Sequence, residues 1–388
     1  MTNFTESDER KALRAAVADL GKKYGHEYYL KRARGGGHTT EIWDEAGKLG
    51  YLGVAVPESY GGGGGGIGDL AAVCEEFCAA GTPMLLMVVS PAICGTVIGR
   101  FGTGEQRQRW LPRFASGEAR MAFAITEPDA GSNSHKITTT ARRDGEGWVL
   151  NGRKVFISGV DEAEAVLVVG RVRDEHSGQG KLKPALFIVP TDAPGFEYQE
   201  IEMDLVSADK QFGLFLDDVR LPYDALVGSE DAALMQLFAG LNPERIMGAA
   251  FSLGIARLAL EKATEYAKIR NVWGAPIGSH QGIAHPLAEV KVEIELAKLM
   301  MQKAAALYDS GDDLGAGEAA NMAKYAAAEA AIHAVDQAVQ THGGNGLASE
   351  YGLGAMIAAT RVGRIAPVSR EMVLNFVAQH SLGLPKSY

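Results

Sequence analysis

The sequence predicts an α+β protein in which an N-terminal helical domain, a small β-barrel or sheet domain and a C-terminal helical bundle follow one another. The chain has 388 residues, which is more than one hydrophobic core usually spans. Apolar residues recur at helical spacing near both ends of the chain, and in between they follow the pattern of strands. These two changes of period predict domains at residues 1–120, 121–228 and 229–388.

Helical spacing runs from residue 6 to about residue 120, in blocks such as RKALRAAVADLGKKY and GDLAAVCEEFCAAG that glycines and prolines separate. The six glycines after Tyr60 predict a flexible loop, because no lysine or helix start follows them as in a phosphate-binding loop. The uncharged stretch 83–99 is slightly short for a membrane span, and Pro91 interrupts it. We therefore expect a buried helix there and no membrane insertion.

The β character begins with MAFAITE at residue 121 and continues through GWVLNGRKVFIS and ALFIVPT. These segments are short, rich in β-branched and aromatic residues, and bounded by turn residues. The sequences DGEG (144–147) and NG (151–152) are strong hairpin signals.

Helical spacing returns after residue 228. The predicted helical segments are approximately 229–271, 279–309, 315–342, 349–364 and 369–381. Alanine-rich stripes such as AKYAAAEAAIHAVDQAV indicate close helix packing in a bundle. No G-x-G-x-x-G follows a strand, so the sequence disfavours a Rossmann fold.

The composition excludes some classes of protein. With a formal net charge of -10, the chain is not built to neutralise a nucleic-acid backbone. Three cysteines are too few for a disulfide framework. Cys74 and Cys78 are therefore expected to be buried thiols, with a redox or metal role as the weaker alternative, and no metal site is predicted. The first residues lack a secretion signal, which favours a cytoplasmic location.

A polar loop, TEPDAGSN (126–133), follows the first predicted strand. A plain turn would explain this composition. The hydroxyl groups of Thr126 and Ser132, together with exposed backbone amides, could equally hydrogen-bond a planar heteroaromatic ring. The loop alone leaves both interpretations open.

Four segments together resemble the acyl-CoA dehydrogenase family, in the order and approximate spacing of that family: MAFAITEPDAGSN, NGRKVFIS, RNVWGAPIGSHQ and QTHGGNG. The resemblance covers nearly the whole chain and agrees with the three-part architecture. It implies an FAD enzyme that oxidises an acyl-CoA thioester to the trans-2-enoyl-CoA. It also implies that electrons pass to an electron-transfer flavoprotein or a similar acceptor.

The resemblance also implies flavin-binding residues. Phe123, Ile125 and Thr126 match positions that border the flavin, and Ser132 matches one shared between flavin phosphate and substrate. Phe156 stands where the family usually has Trp, and Ser158 where it usually has Thr. Both changes keep an aromatic ring or a hydroxyl group. Ile125 and Phe156 could also be ordinary core residues of strands.

In the family, a neighbouring subunit completes each cofactor site, which implies a homo-oligomer, most often a tetramer. The positions that match this second contact are Arg270, Trp273, Gln281, Gln340 and Gly344. An arginine can pair with a pyrophosphate, and glycines let the backbone approach an anion closely. The alternative is that GGNG simply ends a helix.

The reaction needs a base for the α-proton, and a carboxylate with a raised pKa suits this role. Most family members carry this glutamate in a Tyr-Glu-Gly-Thr loop, where this chain has RIAPVSREMVL, with Arg370 at the usual position and Glu371 next to it. A minority branch, which includes isovaleryl-CoA and long-chain acyl-CoA dehydrogenases, has the base in a Leu-x-x-Glu-Arg motif. Residues 241–245 match that motif, so the resemblance implies that Glu244 is the base and that Arg245 faces the CoA entrance.

Two alternatives to this role of Glu244 remain. Glu371 could be the base, or Glu244 could be an ordinary carboxylate at a helix start, since Asn242-Pro243-Glu244 is a favourable N-terminal sequence. For the whole protein, the alternatives are an acyl-CoA oxidase or flavin monooxygenase on the same fold, or a flavin-free assembly protein without activity.

Overall fold

The computed structural model describes residues 6–145, 147–173, 182–229 and 233–386. The helices that precede the sheet are α1 (Asp8–Arg34), α2 (Thr40–Lys48), α3 (Ile67–Ala79), α4 (Thr96–Phe101) and α5 (Gly104–Ala115). A π-helical segment, Val88–Gly95, leads into α4. It contains Pro91, whose missing N–H interrupts the α-helical hydrogen bonds and accounts for the wider turn.

The uncharged stretch 83–99 is buried, as predicted. Met84, Met87 and Ile93 are almost fully buried in the core. Among the described residues, no helix has the length and apolar character needed to cross a membrane. The three cysteines are also buried as free thiols.

The glycine run 61–66 differs from the prediction of a flexible loop. Its backbone N–H groups bond to the preceding turn, including Gly63 N to Gly53 O at 3.0 Å and Gly65 N to Val54 O at 2.9 Å. A Cβ added at Gly62 would lie 2.1 Å from Val56 O. The glycines are therefore needed for close backbone approach, and the prediction of flexibility was wrong.

The central sheet contains eight strands. They are β1 (Met121–Ala124), β2 (Thr140–Asp144), β3 (Gly147–Ser158), β4 (Ala165–Arg173), β5 (Leu182–Pro190), β6 (Phe196–Ile201), β7 (Gln211–Pro222) and β8 (Leu226–Val227). The strand order is β6-β7-β3-β2-β4-β5-β8, and β1 pairs with β4. The β1/β4 and β2/β4 pairs are parallel and the others are antiparallel, so this is a mixed sheet.

One of the two predicted hairpins is wrong. β2 and β3 are paired as predicted for DGEG, with Asp144 opposite Gly147, while Glu146 lies outside the described residues. Asn151 and Gly152 instead lie inside β3, where the register against β7 shifts between Leu150 and Gly152. A Cβ at Gly152 would lie 2.3 Å from Thr139 Oγ1, so this glycine serves a bulge with close packing and not a turn.

The C-terminal helices are α6 (Ala233–Ile269), α7 (Gln281–Asp309), α8 (Asp313–His342), α9 (Leu353–Ile365) and α10 (Arg370–Phe376), followed by a π-helical turn at Val377–Ser381. A two-stranded hairpin of β9 (Asn271–Val272) and β10 (Ala275–Pro276) joins α6 to α7. The largest core is shared by α1, α3, α6, α7 and α8. The predicted α+β class and order of helical, β and helical regions are confirmed. The domain boundaries stay a prediction.

A buried ionic network joins the two helical regions. Glu75 on α3 is fully buried and lies 2.8 Å from Arg14 of α1, 2.7 Å from Arg257 of α6 and 3.5 Å from Lys298 of α7. Arg14 and Arg257 also contact Glu76. The N-terminal helices are thereby tied to the helix that carries the candidate base.

Candidate active site

One face of α6 stays accessible in a stretch of the helix that is otherwise buried. Its partly exposed residues follow helical spacing: Leu241, Glu244, Arg245, Gly248 and Phe251. Most residues between them are buried, among them Ile246, Met247, Ala249 and Ala250, although Asn242 is also partly exposed. Glu244 therefore lies on a partly accessible face of α6.

The sequence motif around Glu244 does not start the helix. Because α6 begins at Ala233, Asn242 and Pro243 lie inside it. Asn242 donates its side-chain amide to the carbonyl of Asp313 at 3.0 Å, which fixes this part of α6 against the start of α8. The alternative of Glu244 as a helix-start carboxylate is therefore wrong.

The surroundings of Glu244 raise the proton affinity of its carboxylate. Burial raises its pKa to about 7, and the cations Arg245 and Lys324 oppose this shift. Burial also raises the pKa of the Cys94 thiol, and the negative charge of Glu244 raises it further. A group with a pKa close to neutrality can both accept and release a proton at working pH.

Arg245, next to the candidate base Glu244, is held in place by its own helix. One guanidinium nitrogen donates to the carbonyl of Leu241 and to Oδ1 of Asn242, both at 3.3 Å. Its Nε is buried and has no hydrogen-bond partner among the described residues. A buried donor without a partner is unfavourable, so this group is suited to an anionic or carbonyl oxygen of a ligand.

The alternative base, Glu371, lies in a different environment. Its side chain is 72% exposed, and Arg370 Nη1 lies 3.7 Å from its carboxylate. Arg370 also contacts Glu329 at 3.2 Å. The carboxylate of Glu371 is therefore in contact with solvent and with a cation, whereas the candidate base Glu244 is largely enclosed by helices.

The predicted flavin residues of β1 and β3 are brought together. Val155 N donates to Thr126 O at 3.0 Å, which joins the end of β1 to the strand that carries Phe156. Phe123 and Ile125 are half-buried and pack beside the core around β4 and α5. Ser132 is exposed in the loop.

A buried ion pair holds this loop in place. Lys154 Nζ contacts Glu127 Oε1 at 2.9 Å and donates to Ile125 O at 3.0 Å. Glu127 also accepts from the backbone N–H groups of Thr138 at 2.6 Å and Thr139 at 2.9 Å. Despite burial, these bonds lower the pKa of Glu127 to about 2. Sequence patterns did not single out this pair, although Lys154 lies on the inward side of an apolar strand.

Phe156 has the features of an aromatic that covers a ring. Its side chain is 56% exposed and its φ is 57°, in the left-handed region that bulky residues rarely adopt. The β3/β7 register shifts between Lys154 and Ile157, so a bulge turns Phe156 out of the sheet. Such strain is typical of functional positions. Nearby, Ser158 accepts from Gln211 Nε2 at 2.9 Å.

The second group of predicted cofactor residues lies on the surface. Arg270, Gln281, Gln340 and Gly344 are exposed. Trp273 is 90% exposed at the tip of the β9–β10 hairpin, also with a positive φ. These residues present a cation, an aromatic ring and polar groups at the surface of the chain.

The two parts of this second group are linked. Asn345 Nδ2 donates to Tyr266 OH at 3.1 Å, and Arg270 N donates to Tyr266 O at 2.9 Å. The ring of Tyr266 stacks on His342 at 4.1 Å. The loop 343–346 and the end of α6 are therefore held at one place on the surface.

The chain matches the acyl-CoA dehydrogenase family along most of its length. The N-terminal domain of that family matches residues 7–118, the middle domain residues 122–219 and the C-terminal domain residues 235–382. Acyl-CoA dehydrogenase FadE12 of Mycobacterium tuberculosis is 68% identical over 387 residues, covering 100% of this chain and 99% of that protein.

Solved structures show the same likeness. Butyryl-CoA dehydrogenase from Megasphaera elsdenii is 28% identical, with a TM-score of 0.89 over 96% of this chain and 98% of its own. Glutaryl-CoA dehydrogenase from Mycobacterium smegmatis in complex with FADH2 is 27% identical, with a TM-score of 0.90 over 99% and 96%. A chain in the structure of the electron transferring flavoprotein of Acidaminococcus fermentans is 27% identical, with a TM-score of 0.92 over 98% and 100%.

The fold and these likenesses thus define a flavoprotein oxidoreductase that acts on acyl-CoA thioesters. The chain belongs to the acyl-CoA dehydrogenase family and is an FAD-dependent acyl-CoA dehydrogenase. Membership of the branch with a Leu-x-x-Glu-Arg base stays a prediction.

Proposed function

We propose that Glu244 is the base that removes the α-proton when this enzyme converts an acyl-CoA to the trans-2-enoyl-CoA. The observation that carries this proposal is a carboxylate on a partly accessible face of α6, with a pKa raised by burial to about 7. Bound FAD supplies the acceptor for the β-hydride. Glu244 takes the α-proton onto its carboxylate oxygen, and α6 holds that oxygen in place.

The thioester carbonyl needs hydrogen-bond donors as the α-proton leaves, because negative charge develops on its oxygen. We propose that a flavin ribityl hydroxyl and a backbone N–H next to Arg370 supply them. A backbone donor needs no particular side chain, which explains how this segment can lack the usual glutamate. Arg245, with its unpaired buried Nε, is proposed to face the CoA part of the substrate.

The cofactor residues are proposed in two groups. Phe123, Ile125, Thr126, Phe156 and Ser158 would hold the flavin end, and Ser132 would contact both flavin phosphate and substrate. Arg270, Trp273, Gln281, Gln340 and Gly344 would complete the FAD site of a neighbouring subunit. The exposed aromatic rings of Phe156 and Trp273, both in left-handed backbone conformations, support this division.

We propose a homo-oligomer, most often a tetramer in this family, whose contacts include an apolar stripe on α7. The stripe consists of the exposed residues Ala288, Val292, Leu296 and Leu299, at spacings of four, four and three residues. Contiguous exposed apolar surface of this kind marks an interaction site. A second copy of the chain is the occupant we propose, because the exposed Trp273 and Arg270 lie in the hairpin that leads into α7.

The electron acceptor is proposed to be an electron-transfer flavoprotein or a similar protein. The likeness to a chain in the electron transferring flavoprotein structure of Acidaminococcus fermentans supports this choice. The cytoplasmic location expected from the sequence stays a prediction.

The role of Glu244 is tested by Glu244→Gln. This variant is expected to bind FAD and remain yellow, while anaerobic flavin bleaching by a reactive acyl-CoA slows by roughly 10²–10⁴-fold, the usual contribution of a positioned base. The measurement is stopped-flow absorbance of the flavin with a panel of acyl-CoAs. The matched control is Glu371→Gln, the same change on an exposed carboxylate. Fast bleaching in Glu244→Gln, or loss of bleaching only in Glu371→Gln, would refute the assignment.

A further inference from the structure

Lys324 is a buried lysine close to the candidate base. It lies on α8 with only 2% of its surface exposed, among the buried alanines Ala323, Ala327 and Ala328. A buried lysine is uncommon because its ammonium group loses hydration, so it usually has a specific set of partners.

The partners of Lys324 are backbone carbonyls of the segment that joins α9 to α10. Its Nζ donates to Val368 O and reaches Arg364 O at 3.5 Å. Arg364 lies in the last turn of α9, where carbonyl groups have no partner within the helix. The ammonium group therefore fixes both ends of a short segment, residues 364–368, against α8.

Other side chains of α8 hold the same region. Glu329 accepts from Arg364 Nε at 2.9 Å and contacts Arg370 at 3.2 Å. Tyr325 accepts from Arg370 Nη2 at 3.4 Å. Lys324 differs from these two residues because it is a buried cation and because its contacts are to the backbone.

The charge of Lys324 also acts on Glu244. Only two cations, Arg245 on α6 and Lys324 on α8, act on this carboxylate among the described residues, and both oppose the effect of burial on its pKa. Burial, followed by the charge of Arg245, lowers the pKa of Lys324 to about 8, although Glu244, Glu329 and Glu371 act in the opposite direction. The thiol of Cys94, on the π-helical segment, is the remaining titratable group beside Glu244.

We propose that Lys324 is a positioning residue for the α-proton transfer: it holds residues 364–368 through two backbone carbonyls, and its positive charge lies in the surroundings of Glu244. This inference rests on the proposed role of Glu244 as the base. Lys324 has no role in bond breaking itself. It acts through the backbone segment that leads to the proposed N–H donor next to Arg370 and through the proton affinity of the base.

The test is Lys324→Met, which keeps the length of the side chain and removes its charge. Because the lost cation no longer favours the carboxylate, the midpoint of the pH dependence of anaerobic flavin reduction should move upward by about one pH unit. The rate at pH 7 then falls on the order of fivefold, and it recovers towards the parent value above pH 9. Hydrogen exchange of the backbone amides in residues 364–370 of the same variant should become faster.

Two further variants complete the design. Lys324→Arg retains a cation and should keep the midpoint close to that of the parent. Lys262→Met removes a half-buried lysine that donates to Tyr351 O at 3.2 Å, away from Glu244, and should leave the midpoint in place. If Lys324→Met fails to retain FAD, Lys324→Gln takes its place in both measurements.

An unchanged midpoint in a charge-removed variant that still binds FAD overturns the inference. A midpoint that shifts equally in Lys262→Met also overturns it, because the effect would then be general. Failure of the base assignment is distinguishable from failure of this inference. It would show as fast bleaching in Glu244→Gln, whereas the faster hydrogen exchange of residues 364–370 in Lys324→Met would still be observed.

Discussion

Glu244 binds its proton more tightly than an exposed glutamate, because the surrounding helices replace water with less polar groups. This desolvation makes the ionised carboxylate less favourable in the folded protein than in the unfolded chain. A raised folded-state pKa means that the native state binds the proton more tightly than the unfolded state. Its contribution to stability is present below the unfolded pKa of 4.5 and is lost as the pH rises through about 7.

Glu244→Gln is therefore expected to stabilise the protein at alkaline pH. At pH 8 the variant should be more resistant to unfolding by on the order of 1 kcal/mol, a value reduced for the partial exposure of the group. At pH 4.5 the difference should nearly vanish, because Glu244 is then protonated in the folded protein. Thermal unfolding of the two FAD-loaded proteins at both pH values gives the comparison. An equal or lower melting temperature for the variant at pH 8 contradicts a raised pKa at this position.

At the level of single elements, α6 contains glycines with different roles. A Cβ at Gly254 would lie 2.3 Å from Cys78 Cβ, and one at Gly240 would lie 2.9 Å from Val97 Cγ2. Close packing therefore requires both glycines. At Gly248, one turn beyond Glu244 on the partly accessible face of α6, the nearest atom to an added Cβ would be Pro367 Cδ at an ordinary 3.5 Å. Since glycine disfavours helix by about 1 kcal/mol, we infer that Gly248 keeps side-chain volume away from Pro367 and the proposed base.

Gly248→Val is expected to reduce the space for the acyl group beside Glu244 while the protein still folds. Activity with bulky or branched acyl-CoAs should fall roughly tenfold or more relative to a short straight-chain substrate, because added side-chain volume excludes the larger group. The measurement is kcat/KM across a panel of acyl-CoAs, with FAD content as a check on folding.

The control is Gly99→Val on α4, where an added Cβ meets only Leu111 at 3.9 Å. A uniform loss with all substrates in Gly248→Val, or the same selective loss in the control, would show that Gly248 does not set the width of the acyl site.

The elements also show how far sequence patterns reach. Helical and strand periods reflect which side of an element is buried, so they predicted α7, α8 and the β region well. They failed where the same short sequence is compatible with two local structures. Asn151-Gly152 forms a bulge and not a turn, and Asn242-Pro243 lies inside a helix because tertiary packing continues α6 through it.

The site was predictable only in part for the same reason. Glu244 could be selected by its motif, but its pKa depends on burial by other elements and on residues more than 70 positions away, such as Lys324, which opposes the effect of burial. Within its alanine stripe, Lys324 resembles a solvated helix residue. The contacts that give it a role join α8 to the segment after α9, and no local pattern encodes them.

At the scale of the whole molecule, the ionic network of Glu75 links the two helical regions within one chain. The α7 stripe, in contrast, is the surface that we propose contacts a second copy of the chain. Leu296, 63% exposed, lies in the middle of that stripe. Leu296→Glu places a charge in the proposed contact, where desolvation of the carboxylate opposes association. The variant should sediment as a smaller species and bind less FAD, because the second cofactor group then has no partner.

Leu314→Glu is the matched control. Leu314 is 90% exposed at the start of α8 and lies outside the stripe, so its variant should sediment like the parent. Analytical ultracentrifugation of both variants at several protein concentrations measures the effect. An unchanged oligomer in Leu296→Glu would remove the α7 stripe from the interface.

The length of α6 has a genetic consequence. The helix carries Glu244 in its first half and ends one residue before Arg270, about 40 Å further along its axis at 1.5 Å per residue. If the base of one active centre and the arginine of its cofactor site come from two copies, defects in them can complement each other. A mixed oligomer of Glu244→Gln and Arg270→Ala chains would contain one fully native centre for each doubly defective one. Neither population alone could form such a centre.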